Sequence, residues 1–180
     1  MACVLTLADV NFSCDDLGIG GLKSVYLSNK ADILSLVSIT GGAVTVTPAT
    51  TGLYTDSDAI AVQFNLKDGF SVFTDVKTVT ADGIVSSVPT ISIEIPKMSN
   101  LHRDALNDIA KPGAELVAFV ETAAGTYHMV GFDYGMYAST VDGTSGTGRS
   151  EKNRFQLTLT GEEDSLAYHL DAANWANVIG

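Results

Sequence analysis

The chain of 180 residues carries 10 Lys and Arg against 21 Asp and Glu, a net charge of −11 with histidine neutral, and it is 46% hydrophobic but only 17% charged. That apolar content supplies a core for one domain over residues 1–180 and excludes intrinsic disorder, whose signature includes low hydrophobicity. The acidic balance excludes a conventional nucleic-acid binder, since gripping phosphates takes clustered Lys and Arg, and here the basic residues are scattered until Arg149, Lys152 and Arg154.

The N-terminus lacks a basic start and turns acidic at Asp9, so it does not read as a secretory signal. Cys3 and Cys14 read as reduced thiols of a protein made in a cytoplasm rather than as a disulfide framework. No stretch approaches the roughly 20 apolar residues of a membrane-spanning helix.

The chain then reads as short strands. Ser24–Ser28, Ile33–Thr40, Ala43–Thr47, Ala59–Leu66 and Phe70–Thr80 are rich in Val, Ile, Thr and Phe, the residues that suit a pleated, half-buried surface. Gly41-Gly42 signals a hairpin, because glycine reaches positive φ without strain. Asp68-Gly69 and Asp82-Gly83 mark two more turns. Between them, Thr47–Asp58 reads as a long loop with Leu53 and Tyr54 as isolated apolar residues. Ile91, Ile93 and Ile95 alternate with Ser92 and Glu94, the period of a strand with one buried face.

One segment departs from this pattern. Met98, Leu101, Ala105 and Ile109 fall three and four apart, which predicts a single amphipathic helix over about 98–111 buried through that stripe. Ser99 or Asn100 caps its start and Pro112-Gly113 ends it. His102 falls on its exposed side. The nearly unbroken apolar run Glu115–Glu121 reads as an interior strand, with Tyr127–Phe132 returning beside it. Ser139–Asn153, polar and Gly-rich, reads as a long mobile loop. In Lys152–Thr160, the residues Phe155, Leu157 and Leu159 alternate with polar ones, the clearest strand signal of the chain.

No motif specifies catalysis. Gly143-Thr-Ser-Gly-Thr-Gly148-Arg149 superficially resembles a phosphate loop, but a strand follows where that motif needs a helix N-terminus. His102, His128 and His169 fall in separate elements without metal-ligand spacing. The acidic clusters Asp15-Asp16, Asp56-Ser-Asp58 and Glu162-Glu163-Asp164 complete no calcium loop and read as solvated turns. The expectation is therefore a non-enzymatic protein with no cofactor and no metal. Leu53, Tyr54, Phe70 and Phe73 read as core residues or as contacts with a neighbouring subunit, where aromatics are enriched.

The order of features resembles the tail tube, or major tail, proteins of tailed bacteriophages, particularly those of phages infecting Bacteroidetes-type hosts. The residues that carry the likeness are Gly18–Lys30, Lys67–Asp75, Ile93–Met98, the single helix, Leu116–Phe132 and the Gly/Thr/Ser loop running into Asn153–Gly161. It spans roughly residues 14 to 170 and leaves the extension 171–180 unaccounted for. The resemblance implies a β-sandwich or barrel with one flanking helix, assembled as hexameric rings stacked into a hollow tube. It implies copies of itself and other tail proteins as partners, DNA as transient cargo, and a place in the virion tail after assembly in the host cytoplasm. A tail terminator or connector ring is a related reading. The rival from another class is a monomeric β-sandwich module that binds carbohydrate or a cell surface.

Overall fold

Alternating patterns, turn glycines and one continuous apolar run produce the strand set. The computed structural model describes residues 20–48, 60–64, 66, 71–80, 82–146 and 153–180. In chain order the elements are β1 (Leu22–Asn29), α1 (Lys30–Ile33), β2 (Val37–Thr40), β3 (Ala43–Val46), β4 (Val62–Phe64), β5 (Val72–Val79), β6 (Val85–Pro96), α2 (Asn100–Ile109), β7 (Leu116–Thr122), β8 (Tyr127–Val130), β9 (Met136–Thr144), β10 (Arg154–Gly161), β11 (Tyr168–Leu170) and α3 (Ala172–Ile179). The protein is mainly β and sandwich-like.

Two antiparallel layers face each other. In the first, β7 pairs with β1 on one edge and β8 on the other, with β4 outside β1 and β11 outside β8. In the second, β5, β6, β10 and β9 pair in that order. The layers join at a corner through the single pairing of Leu116 with Met136. At the opposite corner the Leu22 N–H donates to the Ser71 carbonyl at 3.3 Å.

The core between the layers is built from Val25, Leu27, Ala118 and Val120 against Ile91, Ile93, Leu157 and Leu159, with Leu106 of α2 closing one side. A second core lies on the far face of the first layer. There Val117, Phe119, Met129 and Leu170 meet Ile33, Val37, Val44, Val46, Ile60, Trp175 and Val178. This explains why β7 is apolar at successive positions: alternate side chains enter different cores, and both faces are dry. Each fully buried Leu, Ile or Phe contributes about 1.5–3 kcal/mol through its removal from water.

The β2–β3 hairpin turns at Gly41 and Gly42, with φ of 60° and 85°, the pair of positive values that the tight hairpin turn requires. Its outer edge is closed by side chains. Asn174 accepts the Val46 N–H at 2.7 Å and donates to the Val44 carbonyl at 2.9 Å, and Asn177 donates to the Val46 carbonyl at 2.8 Å. Two asparagines of α3 thus supply bonds that a further strand would have made.

Several expectations are corrected. The segment expected as one strand, Ile33–Thr40, divides: Lys30–Ile33 is helical and Val37–Thr40 is the strand. Ile33 is needed as a fully buried plug of the second core, and a turn bond from the Leu36 N–H to the Ile33 carbonyl follows it. The single helix is joined by α1 and α3. The unaccounted extension 171–180 holds α3, capped by Asp171, which accepts the Asn174 N–H at 2.7 Å. The expected loop Ser139–Asn153 begins as strand, since β9 continues to Thr144 beside β10. Its pattern is silent because most of its residues are exposed, and Gly143 is bare for packing: a Cβ there would lie 2.9 Å from Phe155 and 3.0 Å from Met98.

The helix also turns a different face inward. Ser99 caps it as expected, accepting the His102 N–H at 3.2 Å. Yet Leu106 is the buried residue, while Leu101 is 77% exposed. His102 is half-buried and its Nδ1 lies 3.0 Å from the Lys97 carbonyl. The inward stripe is therefore His102, Leu106 and Ile109, one step around from the expected one. The rest of the expected loop Thr47–Asp58 beyond Pro48, the turn Asp68-Gly69, and Cys3 and Cys14 lie outside the described residues.

Urea unfolding checks this orientation. Leu106→Ala should cost about 2–5 kcal/mol through lost burial and a residual cavity, whereas Leu101→Ala should stay within about 0.5 kcal/mol. Equal losses, or the reverse order, would contradict the rotated helix.

Candidate functional site

The second layer differs from the first in having one dry face. Its inner face carries Phe73, Ile91, Ile93, Leu157 and Leu159, all packed in or against the core. The register then places Val72, Thr74, Val76, Val88, Thr90, Ser92, Thr140, Gln156, Thr158 and Thr160 on the outer face. Gln156 donates to the Ser92 hydroxyl across strands at 3.2 Å. Charge on this face comes from Asp142 and from Glu94, which is buried and held by the Arg154 guanidinium. The result is a hydroxyl-rich surface with little local charge and with exposed valines on its β5–β6 side.

Both margins of this layer are open among the described residues. No strand pairs with the outer edge of β5, and β9 beyond Met136 pairs only with β10. Beyond the sandwich, β5 and β6 continue as a hairpin closed by a turn in which the Gly83 N–H donates to the Thr80 carbonyl at 3.0 Å, as expected for Asp82-Gly83. That hairpin is apolar and wet. Val79 is 67% exposed and Ile84 64%, and Val76, Val85 and Val88 are exposed as well. Exposed valines on a strand with an unpaired edge form a template for association.

The predicted contact residues separate. Phe73 turns inward, half-buried against the core, with its ring 6.2 Å from that of His128. Leu53, Tyr54 and Phe70 lie outside the described residues. The apolar hairpin residues Val76, Val79 and Ile84 were not singled out; Val76 and Val79 lie in a run read as ordinary strand.

Two of the three histidines meet. His128 on β8 and His169 on β11 are cross-strand partners, with ring centroids 5.6 Å apart and edge-to-face. Burial lowers the His128 pKa, and the neighbouring His169 lowers it further, against a weaker opposing pull from Asp75. Asp75 itself is engaged, accepting from the Ser87 hydroxyl and, at 2.7 Å, from the Ala167 N–H. Among the described residues no group of three or more His, Cys, Asp or Glu is placed to hold a metal ion, and no helix is long and apolar enough to cross a membrane. An apolar groove of about 340 Å³ runs between α2 and the ends of β1 and β4; Asp108 is its one titratable lining residue.

Among the described residues Glu163 is the most perturbed acid. Burial raises its pKa to about 7, with the Asp133 carboxyl adding to the rise and backbone N–H groups of the same turn opposing it.

No family model, curated protein or solved structure matches this chain.

The histidine pair has a pH signature. Because the folded-state pKa of His128 lies below its unfolded value, this group binds more protons in the unfolded chain near pH 6.5. Its contribution to stability therefore falls as pH drops through that value, opposite in sign to that of Glu163. In thermal melts from pH 7.5 to 5.5, His128→Gln should gain stability relative to wild type as pH drops. A difference between the two that does not change with pH would remove this role from His128.

Proposed function

We propose that the chain is a structural virion protein that self-assembles into stacked rings of a phage tail tube and conducts DNA through the lumen. The observation that carries this reading is the second layer: four strands with a sealed inner face, a hydroxyl-rich outer face, and margins on β5 and β9 that no described strand closes. A sheet of that kind is completed when β5 of one copy pairs with β9 of the next. Such a contact joins two different surfaces, so repetition closes a ring when the rotation allows it. The outer faces then line the channel, and the exposed β5–β6 hairpin supplies apolar surface for contacts between copies.

The lining suits transit of a polyanion. Hydroxyl groups offer little to hold phosphates, and a net charge of −11 opposes electrostatic capture. In this reading the protein is not an enzyme and uses no cofactor, its partners are its own copies and other tail proteins, and it resides in the virion tail. The monomeric binding module has less support. A glycan platform calls for exposed aromatic faces, and the strongly exposed aromatics among the described residues are Tyr134 and Tyr137, of which Tyr134 is tied to Asp164 at 3.1 Å.

Val76→Lys with Val79→Lys tests the surface. Lysine protects strand edges from pairing, and exposed positions tolerate substitution within about 0.5 kcal/mol. The variant should fold with wild-type circular dichroism and stay monomeric by light scattering, while the wild type forms rings or tubes in negative stain. Tubes from the variant would reject this surface, and a persistent wild-type monomer would reject the assembly reading itself.

A further inference from the structure

The crossover from β10 to β11 is fastened at Glu163. Its backbone makes two bonds with Ser87 of β6: the Ser87 N–H donates to the Glu163 carbonyl at 2.7 Å, and the Glu163 N–H donates to the Ser87 carbonyl at 2.8 Å. Its side chain points instead toward the turn between β8 and β9. The Glu163 residue is only 5% exposed, and its Oε2 accepts the Asp133 N–H at 3.1 Å. Its Oε1 is buried with no hydrogen-bond partner. The Asp133 side chain further disfavours the ionised form of Glu163.

The surrounding groups are acids and phenols. Tyr168 of β11 donates to Asp133 Oδ2 at 3.3 Å, and Tyr134 donates to Asp164 Oδ2 at 3.1 Å. Asp75 of β5 faces the crossover from the other side, through the Ala167 N–H. The nearest ammonium, Lys30 of α1, donates to the Asp133 backbone carbonyl at 2.8 Å and pairs with Glu115 at 3.5 Å. Among the described residues no basic side chain pairs with either the Glu163 or the Asp133 carboxyl. A buried carboxyl with an orphan oxygen and no cation beside it ionises in place only at a large electrostatic cost.

We propose that a proton held on Glu163 latches the β10–β11 crossover onto the 131–135 turn, and that its loss opens this corner of the sandwich. The corner is where the layers meet. The turn is bounded by Gly131 and Gly135, with φ of 85° and 86°, and a Cβ on Gly131 would lie 2.6 Å from Met136 and 2.8 Å from the Leu116 carbonyl. Leu116 and Met136 make the one pairing between β7 and β9. Releasing the turn therefore loosens the joint that holds the second layer to the first. This inference does not depend on what the chain assembles into.

The direction follows from which state holds the proton. The closed corner keeps it up to about pH 7, while an opened one releases it at an ordinary carboxyl value near 4.3. Opening should rise up to about tenfold per pH unit between these values and level off above pH 7. Hydrogen exchange followed by mass spectrometry from pH 5 to 8, corrected for intrinsic rates, reads this directly. Protection of residues 131–136 and 161–167 should fall across pH 5–7 in the wild type and stay flat in Glu163→Gln, whose amide donates to Asp133 without titrating. Asp133→Asn should move the fall toward acid pH, because Glu163 then faces no second carboxyl. Flat wild-type protection, or a Glu163→Gln slope equal to wild type, would overturn the proton latch. Protection restored at pH 8 by calcium alone would overturn it too, by assigning the site to a cation.

Discussion

The fold depends on the burial of β7 on both faces. Leu116–Thr122 sends alternate side chains into two separate cores, with Ala118 and Val120 entering one and Val117 and Phe119 the other. A strand dry on both sides has to sit inside a layered structure, because neither face can be turned to water without exposing a row of large apolar groups. Its neighbours follow from that requirement. β1 and β8 flank it to complete its backbone bonds, the second layer covers one face, and α1, the β2–β3 hairpin and α3 cover the other.

That arrangement makes the two layers unequal. Among the described residues α1, the β2–β3 hairpin and α3 all lie on the first layer, so the second is left with an inner face in the core, an outer face of threonine, serine and exposed valine, and margins that nothing described closes. Elsewhere the same chain closes edges carefully, as when Asn174 and Asn177 of α3 cap β3. The contrast gives the open margins of β5 and β9 their weight. A fold that spends two side-chain amides on a four-residue strand leaves its longest apolar hairpin wet, and association is the physical remedy for such a surface.

The strand inventory was legible where one face is dry and the other wet. Phe155, Leu157 and Leu159, and Ile91, Ile93 and Ile95, announced their strands by alternation, and the Gly41-Gly42 turn announced its hairpin. β7 was legible for the opposite reason, its lack of alternation. The failures occur where local signals are ambiguous or silent. On α2 two adjacent apolar stripes compete, and the choice between Leu101 and Leu106 is made by the surface it docks against. β9 past Met136 is mostly exposed, so no hydrophobic period marks it, and Gly143 looked like a loop residue although packing against Phe155 and Met98 explains it. The His128–His169 meeting, the Glu163–Asp133 contact and the caps made by Asn174 and Asn177 join residues distant in sequence. Only the completed topology brings them together, so no spacing rule could have found them.

The central claim is that copies of this chain complete each other's second layer. Cryo-electron microscopy of the particles formed by the purified protein tests it most directly. The account predicts a ring in which β5 of each subunit continues the sheet onto β9 of its neighbour, with Thr74, Thr90, Thr140 and Thr158 facing the channel. Particles held together through other surfaces, with those two margins still facing solvent, would contradict it.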